Sequence, residues 1–213
     1  MFTCEYPGLC GRGLFSVDAA TSDLELLLAR LGNRGCDLRA FGACTGFLAA
    51  RQPDGPNIRT WEVAGTAHVD TYWMLVGRTD QGRSAIDTTH FPPVQSIFGG
   101  RFTCDMPINA GPQHYVLSAA FRQLTRWVRN GRRPTSAQPL EVRPGIPPTI
   151  TRDRLGNALG GVRTPPIDVP IAVLSGVGQS DGSACGRFGT RIAFDAAKLV
   201  SLYPNHRSYV SAV

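Results

Sequence analysis

A mixed α/β fold, rich in loops, is what the residue pattern predicts. Three observations carry that expectation. An amphipathic helix with both a start and a stop signal runs from Pro112 to Gly131, while apolar or alternating runs at 57–64 and 169–175 sit between turn residues and read as strands. In addition, 24 glycines and 16 prolines in 213 residues make the chain turn-rich, yet below the roughly 25–30% of Gly plus Pro that marks low-complexity disorder. A chain of this length buries roughly 70% of its unfolded surface, so one large domain can hold its core without a staple.

The elements follow in order. Ser22 to Leu31 reads as a short helix, with Ser22 as N-cap, Asp23 and Glu25 in the first turn, Leu24, Leu27, Leu28 and Leu31 on one face, and Gly32 as stop. Residues 33–44 have no clear period. Asn57 to Ala64 alternates in part and is bounded by Asp54-Gly55-Pro56 and by Gly65, which predicts a strand. A short helix is expected over Val69–Gly77, and 78–111 reads mostly as loop. In the helix that starts at Pro112, Leu117, Phe121, Leu124 and Val128 form the expected apolar stripe, with Arg122, Arg126 and Arg129 off it. A Pro-rich stretch covers 134–148, and turns are expected over 149–165. Val169–Ser175 should be a buried strand. Phe194–Tyr203 should be a short helix, with Asp195 near its start and Pro204 beyond its end. No internal repeat is visible.

Composition removes several function classes. The formal charge is +6, but only one of the 22 basic residues is a lysine (Lys198), and the arginines are scattered. No aromatic RNA-binding motif, zinc finger or basic tract accompanies them, so no nucleic-acid partner is expected. No run of 18 apolar residues exists, which excludes a membrane-spanning helix. The first residues carry neither a basic nor an apolar leader segment, so the expected compartment is the cytoplasm. The six cysteines (Cys4, Cys10, Cys36, Cys44, Cys104, Cys185) show no C-x-x-C spacing, and free thiols are the cytosolic default. No cluster has metal-ligand spacing and no phosphate-binding loop is present, so neither metal nor cofactor is expected.

The window Trp61-Glu62-Val63-Ala64-Gly65-Thr66-Ala67-His68-Val69-Asp70 is the most informative. A histidine just past the C-terminal end of a strand can face a site above a sheet, where loops carry function. By itself the pattern is weak, since most loop histidines are simply solvated. His90 reads as solvated loop, and His114 as a capping or packing residue near a helix start. Trp127 reads as core, Asp168 as a turn or cap residue, and Arg163 as a tie to carboxylates.

The same window, with Arg51-Gln52-Pro53-Asp54 before it, resembles a stretch of a bacterial family of alpha/beta hydrolase domain proteins. Further matches follow in the family's order. They are Asn109-Ala110-Gly111-Pro112-Gln113-His114-Tyr115, Leu124–Gly131, Asp153–Pro165 with Asp168-Val169-Pro170, Cys185–Gly189, and Phe194-Asp195 with Leu202-Tyr203-Pro204. The resemblance spans about 45–213 and leaves 1–44 as a divergent segment.

This resemblance implies a partial hydrolase-like sheet, its histidine-bearing end, followed by a loop-rich region of helices and short strands. It implies that His68 is the catalytic base of a Ser–acid–His mechanism acting on a small ester-like substrate through an acyl-enzyme. It also implies that Cys104 and Cys185, both in matching motifs, pack as a pair, disulfide-bonded in an exported parent.

The triad order in that fold is serine, acid, histidine, and no G-x-S-x-G motif occurs ahead of His68. The place expected for the acid reads Ala40-Phe41-Gly42-Ala43-Cys44-Thr45-Gly46, without a carboxylate; Asp37 and Asp54 are the nearest substitutes. The nucleophile half is therefore expected to be missing, as a frame change or a misplaced start would produce, and the isolated chain to be inactive. Gly178-Gln179-Ser180-Asp181-Gly182 does fit the elbow pattern, but its order is reversed and its following residues start a helix poorly. It reads as a turn. The alternatives are an inactive fragment or pseudogene product, expected to melt without cooperativity, and a stably folded binding module that is not an enzyme.

Overall fold

The computed structural model describes residues 51, 53–55, 59–67, 69–76, 93–145, 148–180 and 184–213. The helix expected over Ser22–Leu31, His68 and His90 lie outside these residues.

Mixed α and β elements alternate along the described chain. They begin with α1 (Thr71–Leu75), a hairpin of β1 (Ser96–Ile97) and β2 (Phe102–Thr103), and α2 (Gln113–Asn130). Next come β3 (Val142–Arg143), β4 (Thr149–Ile150), α3 (Pro165–Asp168) and β5 (Ala172–Ser175). A 3-10 turn at Ala184–Arg187, β6 (Thr190–Ala193), α4 (Ala196–Leu202) and α5 (His206–Ala212) complete the order. Strands pair as three antiparallel two-stranded sheets, β1–β2, β3–β4 and β5–β6; the last is the longest, with Ala172 opposite Ala193 and Ser175 opposite Thr190.

The longest helix begins after Pro112 and ends at Gly131, whose φ of 67° takes the left-handed cap conformation and whose N–H bonds to the Trp127 carbonyl. Its buried face differs from the expected one. Val116, Ala120 and Leu124 pack against Trp61 and Val63, whereas Leu117, Phe121 and Val128 are exposed. Ala120 sits with Val116 and Leu124 in the cluster that Trp61 and Val63 complete, and this tertiary contact selects the buried stripe over the bulkier residues beside it. Trp127 packs beside this cluster with Arg59 5.8 Å from the centre of its ring.

The strand expected over 57–64 does not form a ladder among its described residues. Val63 makes a single parallel bridge to Val162. The backbone on either side meets the same residue, Glu62 O accepting the Val162 N–H at 2.6 Å and Ala64 N–H donating to Val162 O at 3.1 Å, while the Glu62 side chain reaches a different segment. Glu62 Oε2 accepts the Leu140 N–H at 2.8 Å, while the Arg51 guanidinium grips the same carboxylate at 2.7 and 2.5 Å. Elsewhere the expected elements shorten. Helix α1 covers the middle of 69–77, β5 the last four residues of 169–175, and α4 starts after Asp195, which caps it through the Lys198 N–H. Strands β3 and β4 and helix α5 arise where turns or nothing had been expected. Helix α5 begins at Asn205 with a reciprocal capping box to Ser208.

Among the described residues three clusters make the core, and the stretch from Trp61 to Val69 contributes to each. Trp61 and Val63 lie in the first, and Ala64 joins Leu140, Ala158, Ile167 and Leu174 in the second. Val69 packs on the third, built from Ile97, Cys104, Ile108, Cys185 and Phe188.

Candidate active site

Every residue from Trp61 to Ala67 is buried, as are Asp70 and Thr71. A buried loop must find partners for its backbone, and here the partners are specific. Ala64 N–H donates to Val162 O at 3.1 Å, Val69 N–H to Arg187 O at 3.1 Å, and Thr71 N–H to Asn109 O at 2.9 Å. Thr66 Oγ1 donates back to Val63 O at 3.1 Å. The anchors stand on both sides of position 68.

Asn109 is the hub of this network. It is fully buried, and its Nδ2 donates to Gly65 O at 3.1 Å and to Ser175 O at 2.8 Å, while its Oδ1 accepts the Gly111 N–H at 2.6 Å. The close approach needs glycine twice. Gly65 has a φ of 71°, a conformation that side chains disfavour. A Cβ on Gly111 would stand 2.5 Å from the Gly65 carbonyl oxygen.

Asp70 is the most perturbed acid described. It is 1% exposed and caps α1, with Oδ1 accepting the Trp73 N–H at 3.0 Å. Its Oδ2 meets no hydrogen-bond partner, and neither does the neighbouring buried Thr71 Oγ1. Burial pushes the carboxyl up to about 6 from its ordinary 3.8, against the lowering effect of the Trp73, Asp70 and Tyr72 backbone N–H groups. From α1, Tyr72 stacks flat on His114 at the start of α2, with ring centres 3.6 Å apart. His114 is thus a packing residue that ties two helices together.

A family model for the alpha/beta hydrolase domain matches residues 43–213. The chain is an alpha/beta hydrolase domain protein. Neither a curated protein nor a solved structure matches it.

Other hydrolase-like motifs fall into place around the loop. Asn157 is fully buried and pins its turn to β5, donating to Ala172 O and accepting the Leu174 N–H. Arg163 pairs with Asp168 at 2.5 Å and donates to the Ala158 carbonyl, the carboxylate tie expected of it. Asp168 is the last residue of α3.

Cys104 and Cys185 form a disulfide with Cα atoms 5.6 Å apart. The free-thiol default is therefore overturned for this pair. The hairpin end and the 3-10 turn bring them to bonding distance inside the third core cluster.

Around the elbow-like 178–182, Gln179 is buried and works as a clamp. Its Oε1 accepts from Met106 N at 3.1 Å, and its Nε2 donates to Met106 O and Gly189 O. Ser180 is exposed, and the next described element is a four-residue 3-10 turn, not the helix that an elbow enters directly.

Reading the residues alone missed Asp70, Asn109 and Gln179. Asp70 offered one signal, an acid in the first turn of the helix expected over Val69–Gly77. The burial of Asn109 and Gln179 depends on partners 44 to 73 residues away, which no local pattern reports. Among the described residues no helix is long and apolar enough to cross a membrane.

Proposed function

We propose that this chain carries the general base of a carboxylic-ester-type hydrolase at His68, in a Ser–acid–His mechanism acting on small esters. In that mechanism the imidazole takes the proton from the serine as it attacks the carbonyl, then returns it to the leaving group. The observation that supports this reading is the anchored loop. Residues on both sides of position 68 are hydrogen-bonded to Val162, Arg187 and Asn109, with Trp61–Ala67, Asp70 and Thr71 buried and Val69 half-buried. Such anchoring suits a loop that has to hold a base in place.

The nucleophile is the missing part of the reading. These 213 residues contain no elbow motif ahead of His68, and next to Ser180 the Gln179 side chain is spent on clamping Met106 and Gly189. On this reading 45–213 is the hydrolase region, and the chain by itself turns over no ester. Fluorophosphonate labelling and p-nitrophenyl acetate turnover test this together. The expected result is an unlabelled protein with background hydrolysis. Turnover that disappears in His68→Ala would show that a nucleophile is present after all. Labelling at Ser180 would favour a different hydrolase. The Cys104–Cys185 disulfide further supports an oxidising compartment in place of the expected cytoplasm.

A further inference from the structure

We propose that the outward side of α2 docks on an anionic lipid surface, the helix lying along the membrane and not crossing it. The inference is independent of the role given to His68.

Three rows of side chains run along α2. At about 100° per residue, Val116, Ala120 and Leu124 form the row buried against Trp61 and Val63. Leu117, Phe121 and Val128 fall within roughly 40° of one another beside that row, and they are 37%, 41% and 60% exposed. Arg122, Arg126 and Arg129 form the third row, roughly a third of a turn further round, and all three are exposed. The apolar face of the helix is thus wider than the core that covers it. Helix α1 meets the N-terminal end of the open row. His114, which stacks on Tyr72 of α1, stands one turn before Leu117 on the same side of α2, and α1 itself exposes Trp73 and Leu75.

Charge decides the occupant. From Met106 to Leu140 the chain carries five arginines (Arg122, Arg126, Arg129, Arg132, Arg133) and no acidic residue. All five are exposed, and among the described residues the arginines in ion pairs are Arg51, Arg59 and Arg163 instead. A surface of one sign repels its own copy, which disfavours α2 packing on α2 of a second chain. An acidic polymer would engage the arginines and leave Phe121 and Val128 in water. A leaflet containing anionic lipid satisfies both rows at once. Its headgroups meet the guanidinium groups, and hydrocarbon lies within about 5–10 Å for the apolar side chains. Arginine suits the border between them, because its stem follows apolar surface while its planar head reaches phosphate.

The test is sedimentation of the 213-residue chain with sucrose-loaded vesicles of phosphatidylcholine, alone or with about one third phosphatidylglycerol. The anionic vesicles should bind at least about ten-fold more strongly, and added salt should weaken that binding. Each cation near an anionic surface strengthens binding roughly five-fold, so Arg126→Gln with Arg129→Gln should weaken it about ten-fold or more. Phe121→Ser with Val128→Ser should weaken it about ten-fold as well, through lost apolar insertion. All four sites are exposed, so both double variants should keep the wild-type melting midpoint. Equal binding to the two vesicles would overturn the proposal. So would undiminished binding in either folded double variant; in the Phe121 and Val128 pair it would assign the arginines to an acidic protein or polymer. If a double variant fails to fold, Phe121→Trp serves as a reporter. Its emission, taken against the wild-type spectrum, should shift to the blue on anionic vesicles and be quenched by brominated lipid. Unshifted and unquenched emission would overturn the proposal.

Discussion

The Asn109 amide donates to the Gly65 carbonyl at 3.1 Å, across 44 residues of sequence, and so ties the loop ahead of position 68 to the segment that leads into α2. The same Nδ2 reaches Ser175 at the end of β5, and the Asn109 backbone carbonyl takes the first N–H of α1. One buried side chain therefore sets the relative positions of the loop, β5 and the start of α2, and its backbone adds α1.

Replacing Asn109 should cost more than any surface change. Asn109→Ala leaves Gly65 O, Ser175 O and Gly111 N unpaired in the interior. At about 1–3 kcal/mol for each orphaned buried group, discounted for relaxation, a loss of about 3–5 kcal/mol is expected. Urea melts would show it. A loss below 1 kcal/mol would mean that the amide is not the hub.

Gly65 should resist even the smallest substitution. Its φ is 71°, and a Cβ there would collide with the Ile167 side chain. Gly65→Ala is expected to lower stability by about 1–3 kcal/mol through strain and overpacking. Because Ile167 can shift its end carbon, Ile167→Val should recover part of the loss in the double variant. Simple additivity in that cycle would contradict the collision.

Burial of Asp70 gives stability a pH dependence of known sign. Its pKa in the folded chain is raised, so the folded state holds the proton more tightly than the unfolded state between about pH 4 and 6. Stability from this group is therefore present below pH 4, falls as pH rises through that window, and stays lowered above pH 6. Asp70→Asn removes the dependence. Relative to wild type the variant should gain about 1–3 kcal/mol at pH 7.5 and little at pH 4. Melts at the two pH values check this, and an equal offset at both would contradict it.

The Cys104–Cys185 cross-link closes a long loop whose ends are separated by 81 positions in sequence. Loop-closure entropy predicts a stabilisation of about 4 kcal/mol. Cys104→Ser with Cys185→Ser, or reduction by dithiothreitol, should lower the melting midpoint accordingly. The third core cluster, with Ile97, Ile108 and Phe188, would loosen first in hydrogen exchange.

What could be read from the residues was local. Pro112 and Gly131 delimit α2 within a residue, and Asp195 caps α4, because these signals lie in the chain itself. The family motifs led to the hydrolase assignment for the same reason. The buried face of α2 was misread, because Leu117, Phe121 and Val128 satisfy helical period as well as Val116 and Ala120 do. Only the approach of Trp61 and Val63 decides between them. Among its described residues the strand expected at 57–64 is reduced to the one bridge of Val63 to Val162, a partner far along the chain. At the site, His68 stood out as a residue type in a motif. Asp70, Asn109 and Gln179 gain their meaning from burial, which polar residues do not announce.

The most direct test of the proposed role of His68 supplies a nucleophile in a fusion. An elbow-bearing N-terminal half from a member of the alpha/beta hydrolase domain family, fused ahead of residue 43, should hydrolyse p-nitrophenyl acetate. His68→Ala in that fusion should lower kcat by about 10⁴-fold with the melting curve unchanged, as loss of a triad histidine does. Activity retained to within tenfold in the folded His68→Ala fusion would contradict the assignment of His68 as the base.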